Sequence, residues 1–273
     1  KAKVILEELG VRLKGKTPKL GGILTDLQQS YTAPFTPSGV ISTKFLNWKE
    51  CIEWLTLVAK LNRVDTDRIA SLTYEQWVTQ VSSSNKIQSL LYALGRLSTY
   101  CHAPEKGSAK VIVSHLKAVM GGVLYLDGGW QMIIDQLHNK AVVSGVQVQT
   151  NKAVRHIVPV SKDQFQCILS NGEIVHSKYV ICTTSPKELN ALLGDGVKLS
   201  QRSFFDQIQP VKGAVLDIAL SQLPNPKKLF AMSLSDPLYY SVHSKYARLS
   251  ADRNSAVLHV LHYHHPDEYI DQK

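Results

Sequence analysis

The stretch KYVICTTSPKELNALLG, residues 178–194, constrains the fold more than any other part of this chain. Residues 179–182 form a short, wholly apolar run rich in β-branched side chains, the pattern of a strand buried on both faces. The run ends in Thr183, Thr184 and Ser185, and helix chemistry begins at once. Ser185 is a natural N-cap, Pro186 suits the first helical position, and Glu188 completes a capping box, the cap alone being worth about 1 kcal/mol. Strand, hydroxyl-rich turn and helix N-terminus make an α/β junction that meets nucleotides in many proteins and nothing in many others. The stretch therefore demands a fold that mixes helices with strands and leaves its ligand open.

The segments before it carry the same mixture. In YLDGGWQMIIDQL, residues 125–137, a short strand GVLYL leads to Asp127, Gly128 and Gly129 and then to a helical run. Trp130, Ile133, Ile134, Leu137 and Ala141 recur on one face of that run, which predicts a buried stripe ending near Gly145. A Gly-rich bend before a helix can also present backbone N–H groups to an anion. Next come VQVQT from Val146, AVRHIVPV and QFQCILS, all strand-like, and Asn171-Gly172 supplies the φ > 0 pair of a two-residue hairpin turn into EIVHS.

KAKVILEELG has the pattern of the tail of an amphipathic helix stopped at Gly10, its Glu7 and Glu8 on a solvated face. Residues 11–43 are expected as loop with at most short edge strands, because Pro34 and Pro37 oppose a regular helix. Residues 44–120 form a helical unit: WKECIEWLTLVAKL, SLTYEQWVTQV with a helix start at Thr73, KIQSLLYALGRLSTYC, and SAKVIVSHLKAVMGG. From Phe204 the pattern returns to strands in VKGAVLDIAL, KLFAMSLSD, LYYSVHS and SAVLHVLHYHH, which predicts a mainly antiparallel sheet.

Composition excludes several classes. At 273 residues the chain buries a sizeable core without staples. Cys51, Cys101, Cys167 and Cys182 are scattered, with no C-x-x-C pair, which fits a reduced compartment and a cytoplasmic protein. No apolar run approaches the roughly 18 residues of a membrane span, so membrane contact is expected to be peripheral. Lys and Arg outnumber Asp and Glu 31 to 22, but they form no stripe or cluster, and a nucleic-acid partner is not expected.

Candidate sites are few. His259, His262, His264 and His265 crowd together in HVLHYHH, but no Cys or spaced acid joins them and Pro266 ends the strand, so they read as polar strand-end residues and no metal is expected. No G-x-S-x-G elbow supports a hydrolase. Tyr100, Tyr125, Trp130, Tyr239 and Tyr240 are the aromatic candidates for lining an apolar cavity, a role that competes with ordinary packing.

The order YLDGGWQMIIDQL, SGVQVQTNKAVRHI, LSNGEIVHSKYVICTTSP resembles the central segment of the flavin-dependent family that includes phytoene desaturases, protoporphyrinogen oxidases and amine oxidases. That family places a Gly-Gly loop and helix before a G-V-x-V strand, a T-x-x-V-x-x-I strand, an N-G-E hairpin and a V-I-x-A-x-x-P strand. The match in order and spacing runs over residues 123–193, and TYEQWV resembles a helix of the family's substrate domain.

The resemblance implies an α+β chain: a mainly antiparallel substrate-domain sheet with a helical subdomain, plus a strand-hairpin-strand-helix piece of an FAD-binding α/β domain. Residues 1–122 would be the loop and helical part of the substrate domain, 123–198 the FAD-domain segment, and 199–273 the sheet part. It implies FAD as cofactor, with Val154, Thr183 and Thr184 beside it, Thr183 standing where the family usually has Ala or another small residue. Tyr125, Gly128, Gly129, Trp130, Tyr239 and Tyr240 would line the substrate cavity, the glycines serving tight packing. The substrate would be a small molecule, apolar in the desaturase or isomerase reading that TYEQWV and GGW favour, and protoporphyrinogen or an amine in the others. The family's G-x-G-x-x-G fingerprint does not occur, and GDGVKL at 194–199 is a helix stop. The chain is therefore expected to be part of a longer protein, to hold FAD poorly alone, and to need the FAD-binding portions outside it; the rival reading is a non-catalytic binding module.

Overall fold

The computed structural model describes residues 2–19, 21–194, 202–250 and 255–270. They form two compact units, one from residues 1–137 and 211–273 and the other from residues 138–210. The loop at 123–130 thus belongs to the first unit, and the second begins at His138.

The first unit opens with α1 (Ala2–Glu8) and β1 (Gly15–Lys16), then β2 (Ile23–Asp26), β3 (Gln29–Thr32) and α2 (Pro37–Ser42). Two expectations fail here. β2 is an interior strand, with Leu24 fully buried, lying between β3 and a strand from the far end of the chain. Pro37 starts a helix instead of preventing one, because the first helical position needs no N–H, and Thr36 caps Gly39 N at 3.0 Å.

Four helices follow as expected: α3 (Trp48–Leu61), α4 (Tyr74–Val81), α5 (Asn85–Thr99) and α6 (Ala109–Val119). Asn47 and Glu50 form a capping box on α3, and Thr73 with Gln76 form another on α4. The packing side of this layer is Trp54, Tyr74, Trp77, Val78, Ile87, Leu90, Ile112 and Val113, all buried. Each such side chain contributes roughly 1.5–3 kcal/mol of transfer free energy. Polar atoms among them are paired: Trp54 Nε1 donates to Pro34 O at 2.7 Å, and Tyr74 Oη donates to Leu91 O at 2.7 Å.

β4 (Tyr125–Leu126) pairs with β1 and leads into α7 (Gln131–Val143). The predicted stripe on α7 is corrected: only Ile133 is buried, Ile134 is exposed and Trp130 is 78 % exposed. The unit is completed by β8 (Lys212–Leu220), β9 (Phe230–Ser233), β10 (Leu238–Val242), a 3-10 turn His243–Lys245, and β11 (Ala256–His264). The sheet order is β3-β2-β9-β10-β11-β8, antiparallel throughout except for the parallel pair β2 and β9. In register, Leu24, Met232, Tyr239, Leu261 and Val215 form one row across the sheet. The first four of these join the helices in the core, so this face of the sheet meets the helical layer.

The second unit holds the antiparallel sheet β5 (Val154–Ser161), β6 (Gln164–Leu169) and β7 (Ile174–Ser177), with α8 (Pro186–Leu193) packed against β5 and α9 (Arg202–Gln207) beside α8. Phe204 is therefore helical, where a strand pattern was expected. The hairpin is present, but its turn differs: Gly172 alone has positive φ, and Gly172 N donates to Leu169 O at 3.0 Å. That is a type I turn closed by a left-handed glycine, a common longer hairpin loop.

Two predicted strands do not form. VQVQT from Val146 and the run 179–182 are outside every sheet, and Ile181 is 92 % exposed. Burial of such runs requires neighbouring strands on both sides, and none of the described residues supplies them. The local signal after the run is kept: Ser185 Oγ accepts from Glu188 N at 3.3 Å, and Glu188 Oε2 accepts from Ser185 N at 2.9 Å. The helix ends at Gly194, with φ 59°, as predicted; the rest of GDGVKL, from residue 195, lies outside the described residues.

Candidate functional site

In the first unit the row next to the core row brings polar groups together. Phe230, Ser241, His259 and Asp217 lie opposite one another on β9, β10, β11 and β8, on the face that carries Tyr239. His259 Nδ1 is 2.7 Å from Asp217 Oδ1. A carboxylate only accepts, so this nitrogen carries the proton and the ring is oriented by the pair.

Aromatic rings close over this row. His243 stacks on His259 with centroids 4.7 Å apart, and Tyr125 lies 4.7 Å from His243 and 5.7 Å from Tyr246. Tyr125 Oη shares a 3.3 Å hydrogen bond with Ser241 Oγ, and Tyr239 packs 5.9 Å from His259. Burial, then the neighbouring His259, holds His243 below the usual histidine value despite the pull of Asp217, so its ring is neutral at pH 7. Burial raises Tyr239 and Tyr246 above the usual phenol value, Tyr100 and Tyr125 adding to the effect at Tyr239 and Tyr125 at Tyr246, and both keep their hydroxyl protons.

Position of the Tyr125 ring depends on the glycine loop. Gly128 N donates to Arg248 O at 2.9 Å, Arg248 N donates to Asp127 Oδ1 at 2.7 Å, and Asp127 N donates to Lys14 O at 2.9 Å. Gly128 and Gly129 have φ of 79° and 67°, a region costly for other residues. Tight packing is not their reason: a side-chain carbon on Gly129 would meet nothing within 4 Å, and one on Gly128 only an ordinary contact at 3.6 Å.

Of the six sequence candidates for a substrate cavity, Tyr125 and Tyr239 belong to this cluster, with Gly128 and Gly129 supporting it. Trp130 points to solvent, and Tyr240 lies on the opposite face of the sheet from Tyr239. No local pattern marks Asp217, Ser241, His243 or Tyr246, and His259 stands out in the sequence only as one of the HVLHYHH histidines, since only strand register assembles the cluster. The period-2 alternation of β10 and β11 places Ser241 and His259 facially, but their pairing has no sequence signal.

The histidine cluster divides as strand geometry dictates. His262 and His264 share the other face, with Nδ1 and Nε2 3.4 Å apart, while His264 pairs with Glu268 and His265 with Glu105, both at 2.9 Å. Among the described residues no group of three or more His, Cys, Asp or Glu is placed to hold a metal ion.

In the second unit Val154 opens β5, half-buried and paired with Leu169. Thr183 and Thr184 are exposed at the end of the unpaired run; Thr184 Oγ1 lies 3.1 Å from Cys182 Sγ, just before the capped N-terminus of α8. A hydroxyl-rich turn before a helix N-terminus is an arrangement that α/β junctions use both with and without a nucleotide. The glycine-rich turn a dinucleotide site also needs is not among these residues.

The fold recurs among known proteins. The chain shares the fold of putrescine oxidase bound to putrescine, with a TM-score of 0.69 at 14 % identity over 97 % of this chain and 62 % of that one. Cyclohexylamine oxidase from Brevibacterium oxydans aligns with a TM-score of 0.63 at 11 % identity, over 94 % and 61 %. RAB GDI from Plasmodium falciparum aligns with a TM-score of 0.57 at 12 % identity, over 98 % and 65 %. At these identities the likeness is one of fold, and the chain spans less than two thirds of each structure. No curated protein matches the chain. The family model described as flavin containing amine oxidoreductase matches residues 44–231, more than half of the sequence. FAD is the cofactor of that family, and the chain, with its mixed helices and antiparallel sheets, belongs to it.

Proposed function

We propose that this chain carries the substrate-binding part, and one edge of the FAD site, of an oxidoreductase that removes hydride from the C–H bond next to the nitrogen of an amine. The observation behind this reading is the cluster of Tyr125, Tyr239, Tyr246 and His243 around the Asp217–His259 pair. Aromatic faces and a nearby carboxylate attract an alkylammonium group by cation–π and charge interactions. His243, being neutral, can take up the ammonium proton at a ring nitrogen, and the carbon–nitrogen bond becomes a C=N bond as hydride leaves carbon. FAD, when bound, supplies the hydride acceptor; Val154, Thr183 and Thr184 are the residues of this chain that would hold it. The names of putrescine oxidase and cyclohexylamine oxidase among the structural neighbours agree with this reading.

The desaturase or isomerase reading rested on TYEQWV and GGW. Tyr74 and Trp77 are buried in the helical core and Trp130 faces solvent, so these residues have packing and surface roles and no evident part in selecting a polyene. A non-catalytic binding module is the reading to test against.

The test is a visible absorption spectrum of the purified protein, before and after adding FAD, for this chain and for a longer chain that contains it. Bound flavin that is bleached anaerobically by putrescine or cyclohexylamine, and not by an apolar polyene, is the expected result. Flavin bleached only by the polyene would overturn the amine substrate. No bound flavin in either form would overturn the oxidoreductase.

A further inference from the structure

Helix α3 has more apolar surface than its core contact uses. Cys51, Trp54, Leu57, Val58 and Leu61 turn toward the core. Trp48, Ile52, Leu55 and Ala59 recur at i, i+4, i+7 and i+11 on a different face, and all four are exposed, Trp48 at 69 % and Ile52 at 57 %. The end of α2 adjoins this helix, Cys51 Sγ donating to Val40 O at 3.7 Å, and contributes Ile41 at 87 % exposure. Ile52, Leu55 and Ala59 also line a shallow open groove with Thr56, Lys60 and Arg63. An exposed apolar patch of this kind marks a surface that meets something.

The charges around it indicate what. Lys60 and Arg63 line the groove, and the exposed Lys49 has its ammonium 5.6 Å from the Trp48 ring. Both acids of α3 are engaged by neighbouring donors: Glu53 Oε1 accepts from Ser82 Oγ at 2.6 Å, and Glu50 accepts from Ser84 Oγ at 2.7 Å and from Asn47 N at 2.9 Å. Asp65 and Asp67, beyond the helix, are paired with Arg68 and Lys110. The patch therefore presents a tryptophan, branched aliphatic side chains and net positive charge, on a chain whose formal charge is +9.

We infer that this face of α3 docks on an anionic lipid surface. Tryptophan and aliphatic side chains enter the headgroup boundary while the lysines and Arg63 meet lipid phosphates and carboxylates. No helix among the described residues is long and apolar enough to cross a membrane, so the contact is a surface one. The inference goes beyond the flavin reading and can fail separately, since lipid binding is measured without FAD.

The test is co-sedimentation of the 273-residue chain with vesicles of phosphatidylcholine, with and without phosphatidylserine. Binding to the phosphatidylserine vesicles only, weakened by salt, is expected. Lys49→Glu with Lys60→Glu lowers that binding more than tenfold, since each basic residue near an anionic surface contributes about fivefold. Trp48→Ser with Ile52→Ser also lowers it, and leaves the unfolding midpoint in place because both side chains are exposed. Failure to bind phosphatidylserine vesicles overturns the inference, as does binding that both double variants retain. A dimer that the Trp48/Ile52 variant dissolves would assign the face to a second copy of the chain and also overturn it.

Discussion

His259 Nδ1 and Asp217 Oδ1 are 2.7 Å apart, although 42 residues separate them along the chain. The pair exists because β11 and β8 are antiparallel with His259 opposite Asp217. It sets a carboxylate on the face of the sheet that also carries Tyr239 and Ser241. In the flavin-loaded protein, Asp217→Asn is expected to raise KM for a cationic amine by roughly tenfold, a modest figure because the carboxylate is largely exposed. Steady-state kinetics with an amine and with an uncharged substrate separate this from a general loss of structure, since only the amine should respond.

Gly95 sits inside α5, where alanine would ordinarily gain about 1 kcal/mol of helix propensity. Here an added carbon would lie 2.6 Å from Tyr74 Cε1, and that ring is fixed by its hydroxyl bond to Leu91 O. The clash should win, and Gly95→Ala should lower stability by about 1–3 kcal/mol in urea unfolding followed by far-UV circular dichroism.

Thr73→Ala removes the side-chain half of the capping box on α4 and should cost about 1 kcal/mol by the same assay. Thr73→Ser keeps the hydroxyl and should cost much less.

The pH dependence of stability has a defined sign. Burial holds His243 below the ordinary histidine value, helped by His259, and burial lowers His102, helped by Arg96. The unfolded chain thus binds protons that the folded chain resists. Stability from these two groups is complete above about pH 6.5 and falls as pH drops from there toward their folded values. Thermal unfolding between pH 8 and pH 5 should show the fall, and His243→Gln should flatten it.

Hydrogen exchange should distinguish the two kinds of β segment in the second unit. Amides inside the β5-β6-β7 ladder are protected, while those of residues 147–150 and 179–184, outside any sheet, should exchange at near-unprotected rates in this chain. In a longer chain that binds FAD, the same amides should become protected if those runs join a sheet.

The legible parts of the sequence were those whose cause is local. Ser185, Pro186 and Glu188 announce the start of α8, and the structure shows each bond of the box. Gly145 and Gly194 stop their helices with positive φ as their positions implied. The four helices of residues 44–120 follow from apolar spacing, because a helix satisfies its own backbone hydrogen bonds and needs only one buried stripe.

Strands depend on partners, and here the sequence misled in both directions. Ile23–Asp26 has little strand signal of its own, yet becomes interior because Phe230–Ser233 arrives beside it from more than two hundred residues later. Residues 179–182 have the apolar, β-branched pattern of a buried strand and form none. The candidate site follows the same rule. The sequence by itself determined the helices, their caps, the glycine stops and a resemblance that named the family. Only the tertiary structure decided which strands exist, and it alone set Tyr125 against His243 and His259 against Asp217, because cross-strand register is a property of pairs of distant segments and neither segment encodes it alone.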